Sequence, residues 1–178
     1  ERQSSFPKIR EGNVSAQLVR DVILDKFEHK EFPDWRRNSD DVILELATVD
    51  GNIDLSKQEI NCSLRFFWCQ FEEVRFNESS VSGIVEIKNC ISGIFTLDKT
   101  NVAGRVTFTS CKSNTEVTPL VIKASGASVK GLNFSSVHAS KIKLNHTIVD
   151  GDLNFKRNRN FEEVEATDFK AVGINVSG

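Results

Sequence analysis

Apolar and polar residues alternate in short bursts along the middle of this chain, and the bursts recur. Val81-Ser-Gly-Ile-Val-Glu-Ile87 is followed by Ile91-Ser-Gly-Ile-Phe-Thr-Leu97 and then by Val102-Ala-Gly-Arg-Val-Thr-Phe108. Before them stand Ile60-Asn-Cys-Ser-Leu-Arg-Phe66 and Phe71-Glu-Glu-Val-Arg-Phe76. The last apolar residue of each burst falls at Leu55, Phe66, Phe76, Ile87, Leu97 and Phe108, in steps of 11, 10, 11, 10 and 11. The period is therefore 21 residues, made of two unequal half-turns.

Columns taken at that spacing hold like residues. Leu64, Val85 and Val106 align, as do Phe66, Ile87 and Phe108. The other half-turn gives Ile53, Val74 and Phe95, then Leu55, Phe76 and Leu97. Cys62, Gly83 and Gly104 form a small-residue column, and Cys69, Cys90 and Cys111 another. An insertion at 112–119 breaks the register. The period resumes in Leu132, Leu153 and Ile174, in Asn133, Asn154 and Asn175, and in Phe134, Phe155 and Val176.

A period-two alternation within each burst is strand periodicity, and a fixed repeat of this length is the mark of a solenoid. Short strands recurring every half-turn with no helix between them stack coil on coil through parallel hydrogen bonds about 4.8 Å apart. The stretch from Val42 to Val176 predicts a little over six coils, a rod of roughly 30 Å at that spacing. The expected fold is an all-β solenoid, a parallel β-helix with about 21 residues per coil and an N-terminal capping helix. The predicted division is residues 1–40 for the helix and its linker and 41–178 for the β-helix.

The capping helix is expected over 14–29. Leu18, Val19, Val22, Ile23 and Phe27 recur at spacings of three and four, and Ser15 suits the N-cap. Such a helix would cover the unpaired strand edges of the first coil. Phe32, Pro33 and Trp35 then lead into the coils. At the other end Phe169 and Val176 continue the inward columns with no second helix, so the last coil is expected to be open and to meet another subunit or further sequence. The candidate interaction surface is accordingly Leu18, Val22, Phe27, Trp35, Phe169 and Val176.

The phrases Glu86-Ile87, Thr96-Leu97 and Phe66-Phe-Trp-Cys-Gln-Phe71 resemble the steps of the pentapeptide-repeat proteins. A divergent group of relatives, often labelled membrane-associated oxidoreductases, is more similar still. The resemblance lies in Ala16-Gln-Leu-Val-Arg20, Gly51-Asn-Ile-Asp-Leu55 and Leu64-Arg-Phe-Phe-Trp-Cys-Gln-Phe71. It implies a right-handed, four-sided coil and specifies architecture, not chemistry. Nothing in the chain supports the oxidoreductase label, since it has neither Gly-x-Gly-x-x-Gly nor Cys-x-x-Cys.

Charge changes the picture only by exclusion. A net charge of −2 argues against a strongly basic nucleic-acid binder and against a highly acidic DNA mimic. No apolar run reaches the length of a membrane span, so membrane attachment would need sequence outside this chain. The aligned cysteines read as free thiols filling a narrow corner, which points to a reducing, cytoplasmic setting. The asparagine column reads as a ladder of stacked amides. Six Asn-x-Ser/Thr triplets, at Asn13, Asn61, Asn77, Asn133, Asn145 and Asn175, read as products of the repeat.

Candidate chemistry is thin. His29, His138 and His146 fall in no common column, and a left-handed acyltransferase helix would need six-residue steps. Glu72-Glu73 and Glu162-Glu163-Val-Glu165 read as solvated faces, Lys156-Arg157-Asn-Arg159 and Trp35-Arg36-Arg37 as small basic spots. No catalytic, cofactor or metal residue is assigned, and no small-molecule substrate is expected. The expectation is a non-enzymatic scaffold or protein–protein interaction module that meets a protein partner or itself through the open C-terminal coil. The alternatives are a DNA-mimicking topoisomerase-binding protein and a polymer-forming cytoskeletal β-helix.

Overall fold

The computed structural model describes residues 8–24, 41–113, 120–158 and 163–177. The chain opens with β1 (Lys8–Ser15), α1 (Ala16–Ile23) and β2 (Asp41–Asp50). Next come β3 (Ile53–Asp54), β4 (Glu59–Ile60), β5 (Ser63–Phe67), β6 (Gln70–Arg75) and β7 (Ser80–Val81). The middle coils add β8 (Val85–Lys88), β9 (Ile91–Thr96), β10 (Asn101–Thr109) and β11 (Val121–Lys123). The last coils carry β12 (Ser128–Ser135), β13 (Lys141–Lys143), β14 (Ile148–Lys156), β15 (Glu163–Glu165) and β16 (Lys170–Ser177). Among the described residues every pairing is parallel, and the strands wind into an all-β solenoid of about six turns with about 21 residues per coil and a single helix.

The register is the one that the columns predict. Leu64 pairs with Val85, Val85 with Val106, Val106 with Leu132, Leu132 with Leu153, and Leu153 with Ile174. Phe66, Ile87, Phe108, Phe134, Phe155 and Val176 follow two positions on. Ile53, Val74, Phe95, Ile122, Ile142 and Val164 build a second ladder. A third runs through Ile60, Val81, Val102, Val129, Val149 and Ala171. A short fourth joins Thr48, Gln70 and Ile91 and continues to Lys112. From Thr48 to Lys112 the coils are therefore four-sided.

The interior is a stack of like side chains. Phe108, Phe134 and Phe155 lie face to face, with ring centroids 5.5 and 5.1 Å apart. Phe95 meets Phe108 edge-on at 5.1 Å. The small-residue column has a steric cause. A Cβ at Gly104 would lie 2.6 Å from the Gly83 carbonyl oxygen, and one at Gly83 would lie 2.6 Å from the Ser63 nitrogen. At Gly83 and Gly104 the coils approach too closely for a side chain.

Two corners per coil are built on the left-handed backbone. Leu46, Trp68, Asn89, Ser110, Ser136 and Arg157 form one corner column, and Lys57, Glu78, Lys99, Gly126, His146 and Asp168 the other. The eleven non-glycine members hold φ between 49° and 59°, a conformation that costs an L-residue roughly 1–2 kcal/mol. Hydrogen bonds between coils offset it. The Glu78 amide donates to the Asp98 carbonyl at 2.9 Å, Lys99 to Ser125 at 2.8 Å and Asn89 to Thr109 at 2.9 Å. Because the corner side chains point outward, their chemical type is free to vary.

Three expectations need correction. The helix begins at Ala16, not at residue 14, because Val14 and Ser15 complete a strand. Ser15 holds φ −71° and ψ 144° and its Oγ accepts the Leu18 N–H at 3.2 Å, so the expected N-cap is in place. The helix closes at Ile23 with Leu24 as its C-cap; the rest of the expected span, including Phe27, lies outside the described residues. Second, the first coil is not capped by the helix alone. β1 pairs in parallel with β2 and forms the outermost strand, while α1 packs near β3, where the Arg20 Nε–H donates to the Asp54 carbonyl at 2.9 Å. Third, Lys112 belongs to the coil rather than to the insertion, since its amide donates to the Cys90 carbonyl at 3.1 Å; residues 114–119 lie outside the described residues.

Two substitutions test this packing by urea unfolding. Phe108→Ala is expected to cost about 3–5 kcal/mol as a buried large-to-small change. Gly104→Ala is expected to cost about 1–3 kcal/mol through overpacking against the Gly83 carbonyl. A loss under about 0.5 kcal/mol for either, the range of surface substitutions, would show the column to be misplaced.

Candidate functional site

Of the six residues expected to form an interaction surface, the structure describes Leu18, Val22, Phe169 and Val176. Val22 is 6% exposed and packs in the core, and Leu18 is half-buried beside it on α1. Phe169 is half-buried against the last turn of the core. Phe27 and Trp35 lie outside the described residues. Of the four described, Val176 alone stands clear, at 76% exposure.

Val176 has neighbours that the sequence reading did not name. Val172 is 79% and Ile174 61% exposed on the same strand, β16, and Val164 is exposed on β15. Their exposure follows from position. Ile174 continues the column of Leu132 and Leu153, both buried, and Val176 continues that of Phe134 and Phe155. Among the described residues no strand pairs with the outer side of β16 or of β15. Ile174 and Val176 are thus interior residues presented at the edge of the sheet, while Val172 stands in the outward column of Lys130 and Asp150. The signal was available in the repeat itself, because a core column carried into the outermost described coil meets no described coil above it.

Three amides line the same ladder. Asn133, Asn154 and Asn175 stack in register. The Asn154 Nδ2–H donates to Asn133 Oδ1 at 2.5 Å, and the Asn175 Nδ2–H donates to Asn154 Oδ1 at 2.9 Å. The expected amide ladder is present. Lower on this face the outward column carries opposite charges instead, with Arg65 Nη1 2.9 Å from Glu86 Oε2.

The cysteines lie where the column places them. Cys69, Cys90 and Cys111 are buried free thiols, each directly after a left-handed corner residue. The Cys69 and Cys90 thiols donate to the Leu44 and Phe66 carbonyls, each at 3.3 Å, and the Cys111 thiol to Ile87 at 3.5 Å. Ser79, Thr100 and Thr147 follow the opposite corner and donate likewise, Ser79 and Thr100 to the Phe76 carbonyl and Thr147 to that of Ala124. Both columns thus supply small donors that satisfy buried carbonyls. Burial pushes the Cys111 thiol up to about 11. Cys90 is pushed up by its hydrogen bond to Cys69 and by burial.

Other polar groups are engaged in holding coils together. Lys141 pairs with Glu163 and Glu165, and Lys143 Nζ lies 3.1 Å from Glu165 Oε2. Their hydrogen bonds draw the Glu165 carboxyl down to about 2. Lys130 pairs with Asp150 across the next face. A hollow of about 320 Å³ beside α1 is lined by Ala16, Gln17, Arg20, Asn52, Asp54 and Ser56. Its Asp54 carboxylate accepts the Ser56 amide at 2.9 Å and is held below the usual carboxylate range mainly by Ser56.

Among the described residues no group of three or more His, Cys, Asp or Glu side chains converges as a metal site. No described helix is long and apolar enough to cross a membrane. His146 Nδ1 lies 3.4 Å from Asp168 Oδ2 at an exposed corner, and His138 is exposed away from it. Glu162, Arg159, Arg36, Arg37 and His29 lie outside the described residues. Comparison with protein-family models, with curated proteins and with solved structures finds no match to this chain.

The thiol column gives a pH prediction. A thiol whose folded pKa is raised supports the fold fully below its unfolded value, and that support is lost as pH rises through the folded value. With Cys111 raised from 9.0 to about 11, the urea midpoint should fall between about pH 9 and about pH 11. Cys111→Ala should flatten that fall. An unchanged slope in the variant would show that Cys111 is not buried as a thiol.

Proposed function

We propose that this chain is a non-enzymatic β-helical scaffold, a protein–protein interaction module that docks protein at the exposed edge of its outermost coil. The observation that carries the reading is the run Val172, Ile174 and Val176, each more than 60% exposed on a strand with no partner on its outer side among the described residues. Unpaired strand edges are templates for a further strand, and exposed apolar clusters mark association surfaces. The resemblance to pentapeptide-repeat relatives agrees with a scaffold role, by analogy of architecture alone.

A DNA-mimicking role needs a continuous acidic face. The outward columns carry both signs, as in Arg65 with Glu86, Lys130 with Asp150, and Lys141 with Glu163, which speaks against it. Polymerisation keeps one observation in its favour. At the N-terminal end β1 is also an edge strand, and it belongs to the ladder that β16 closes at the other end.

The reading predicts association at high concentration in the absence of other protein. By light scattering over a concentration series, the mass should rise above 19.9 kDa. A Val172→Lys/Val176→Lys variant should keep the monomer mass and the same circular dichroism. A wild-type chain that stays monomeric at every concentration overturns self-association through this edge.

A further inference from the structure

This inference rests on the docking reading above and names the chemistry of what docks. We propose that the outer edge of β16 selects a parallel strand carrying the pattern apolar–asparagine–apolar. Three successive coils already repeat that triad: Leu132-Asn133-Phe134, Leu153-Asn154-Phe155 and Ile174-Asn175-Val176. The triads are in register residue for residue. The ladder between them is an existing interface, and its outermost member is exposed.

Both parts of the triad define the incoming strand. Ile174 and Val176 require apolar partners, because each lower member of their columns packs directly beneath another apolar side chain. Asn175 donates one of its two amide hydrogens to Asn154 Oδ1, and by the order of the lower rungs its own Oδ1 faces the next position in the ladder. A partner there must donate, and an asparagine donates and accepts in the geometry that the lower rungs repeat. A carboxylate cannot donate and sets negative charge against the Asn175 carbonyl oxygen. A leucine leaves the Asn175 Oδ1 without a donor. The incoming strand must run parallel, because only an in-register parallel stack superimposes like residues.

The backbone supports the same direction. Leu64, in the column of Ile174, sends its amide to the Ile84 carbonyl of the coil above at 2.8 Å. By that register Ile174 holds its amide toward the open edge. Backbone pairing supplies affinity and alternate side chains supply selectivity, which is strand addition to a sheet edge. The strand β16 carries no charged residue from Ala171 to Ser177, so nothing on it repels a neutral apolar segment.

The test uses the whole 15N-labelled chain, dilute enough to be monomeric, and a free peptide with the sequence of residues 148–156, Ile-Val-Asp-Gly-Asp-Leu-Asn-Phe-Lys. NMR titration reads the amide shifts of Ile174, Asn175 and Val176. Two further peptides replace the Asn154 equivalent by Asp or by Leu. The expected result is saturable shifts confined to β16 and β15, with affinity weakened about tenfold or more by Asp and by Leu. An Asn175→Leu chain should bind all three peptides within about threefold of one another, which is the coupling expected of contacting residues. Equal affinity of the three peptides for the wild-type chain overturns the amide selection and leaves docking at this edge standing. No shift with any peptide, in a chain that still self-associates on concentration, makes a second copy the occupant and overturns the proposal. No shift and no association at any concentration removes the docking reading with it.

Discussion

Each coil has to lie one hydrogen-bond spacing above the last, in parallel and in register, and nearly every other feature follows from that requirement. It forces like residues into columns, so Phe108, Phe134 and Phe155 stack as rings. It brings the Gly83 and Gly104 backbones into contact, with an amide-to-carbonyl bond of 3.1 Å that leaves no room for a Cβ. It also sets the corners. The chain must turn inside one or two residues, and a single left-handed residue at each of two corners does so. The cost recurs in every coil, and so does the bond between coils that offsets it. Such a structure is quasi-one-dimensional, with each coil stabilised by its two neighbours.

Much of this was legible in the sequence because the packing code is local and repeated. Leu64, Val85 and Val106 share a chemical type for the reason that they share a place, and no long-range pairing had to be inferred. The alternation of apolar and polar residues gave the faces, and the aligned cysteines gave a tight column whose role the corner explains. Other features left no such trace. A corner residue points outward, so Lys57, Glu78 and Lys99 share a backbone conformation without sharing a chemistry. β1 was missed because Lys8-Ile-Arg-Glu-Gly12 has a single apolar residue and no second copy to align with. The helix was read too long because Val14 suits a strand edge and a helix face equally.

The surface reading moved for a related reason. Helical spacing nominated Val22, but on an amphipathic helix packed against a solenoid that stripe is what becomes buried. The exposed apolar residues are those of the core columns themselves, Ile174 and Val176, displayed where the stack has no further coil among the described residues. Function, on this account, resides in the repetition: the edge of a periodic stack presents the contacts that its own coils use, with the asparagine ladder adding a polar rung to two apolar ones.

The central claim is a 21-residue register shared by every coil, and excising one coil tests it most directly. Removal of residues 85–105 joins Ile84 to Val106 and deletes one full period, so each remaining column still falls on its own kind. Removal of 85–104, one residue fewer, shifts every following side chain to the opposite face. The account predicts that the first deletion keeps a β-type circular dichroism spectrum and a cooperative urea transition, and that the second loses both. Equal behaviour of the two deletions would contradict it.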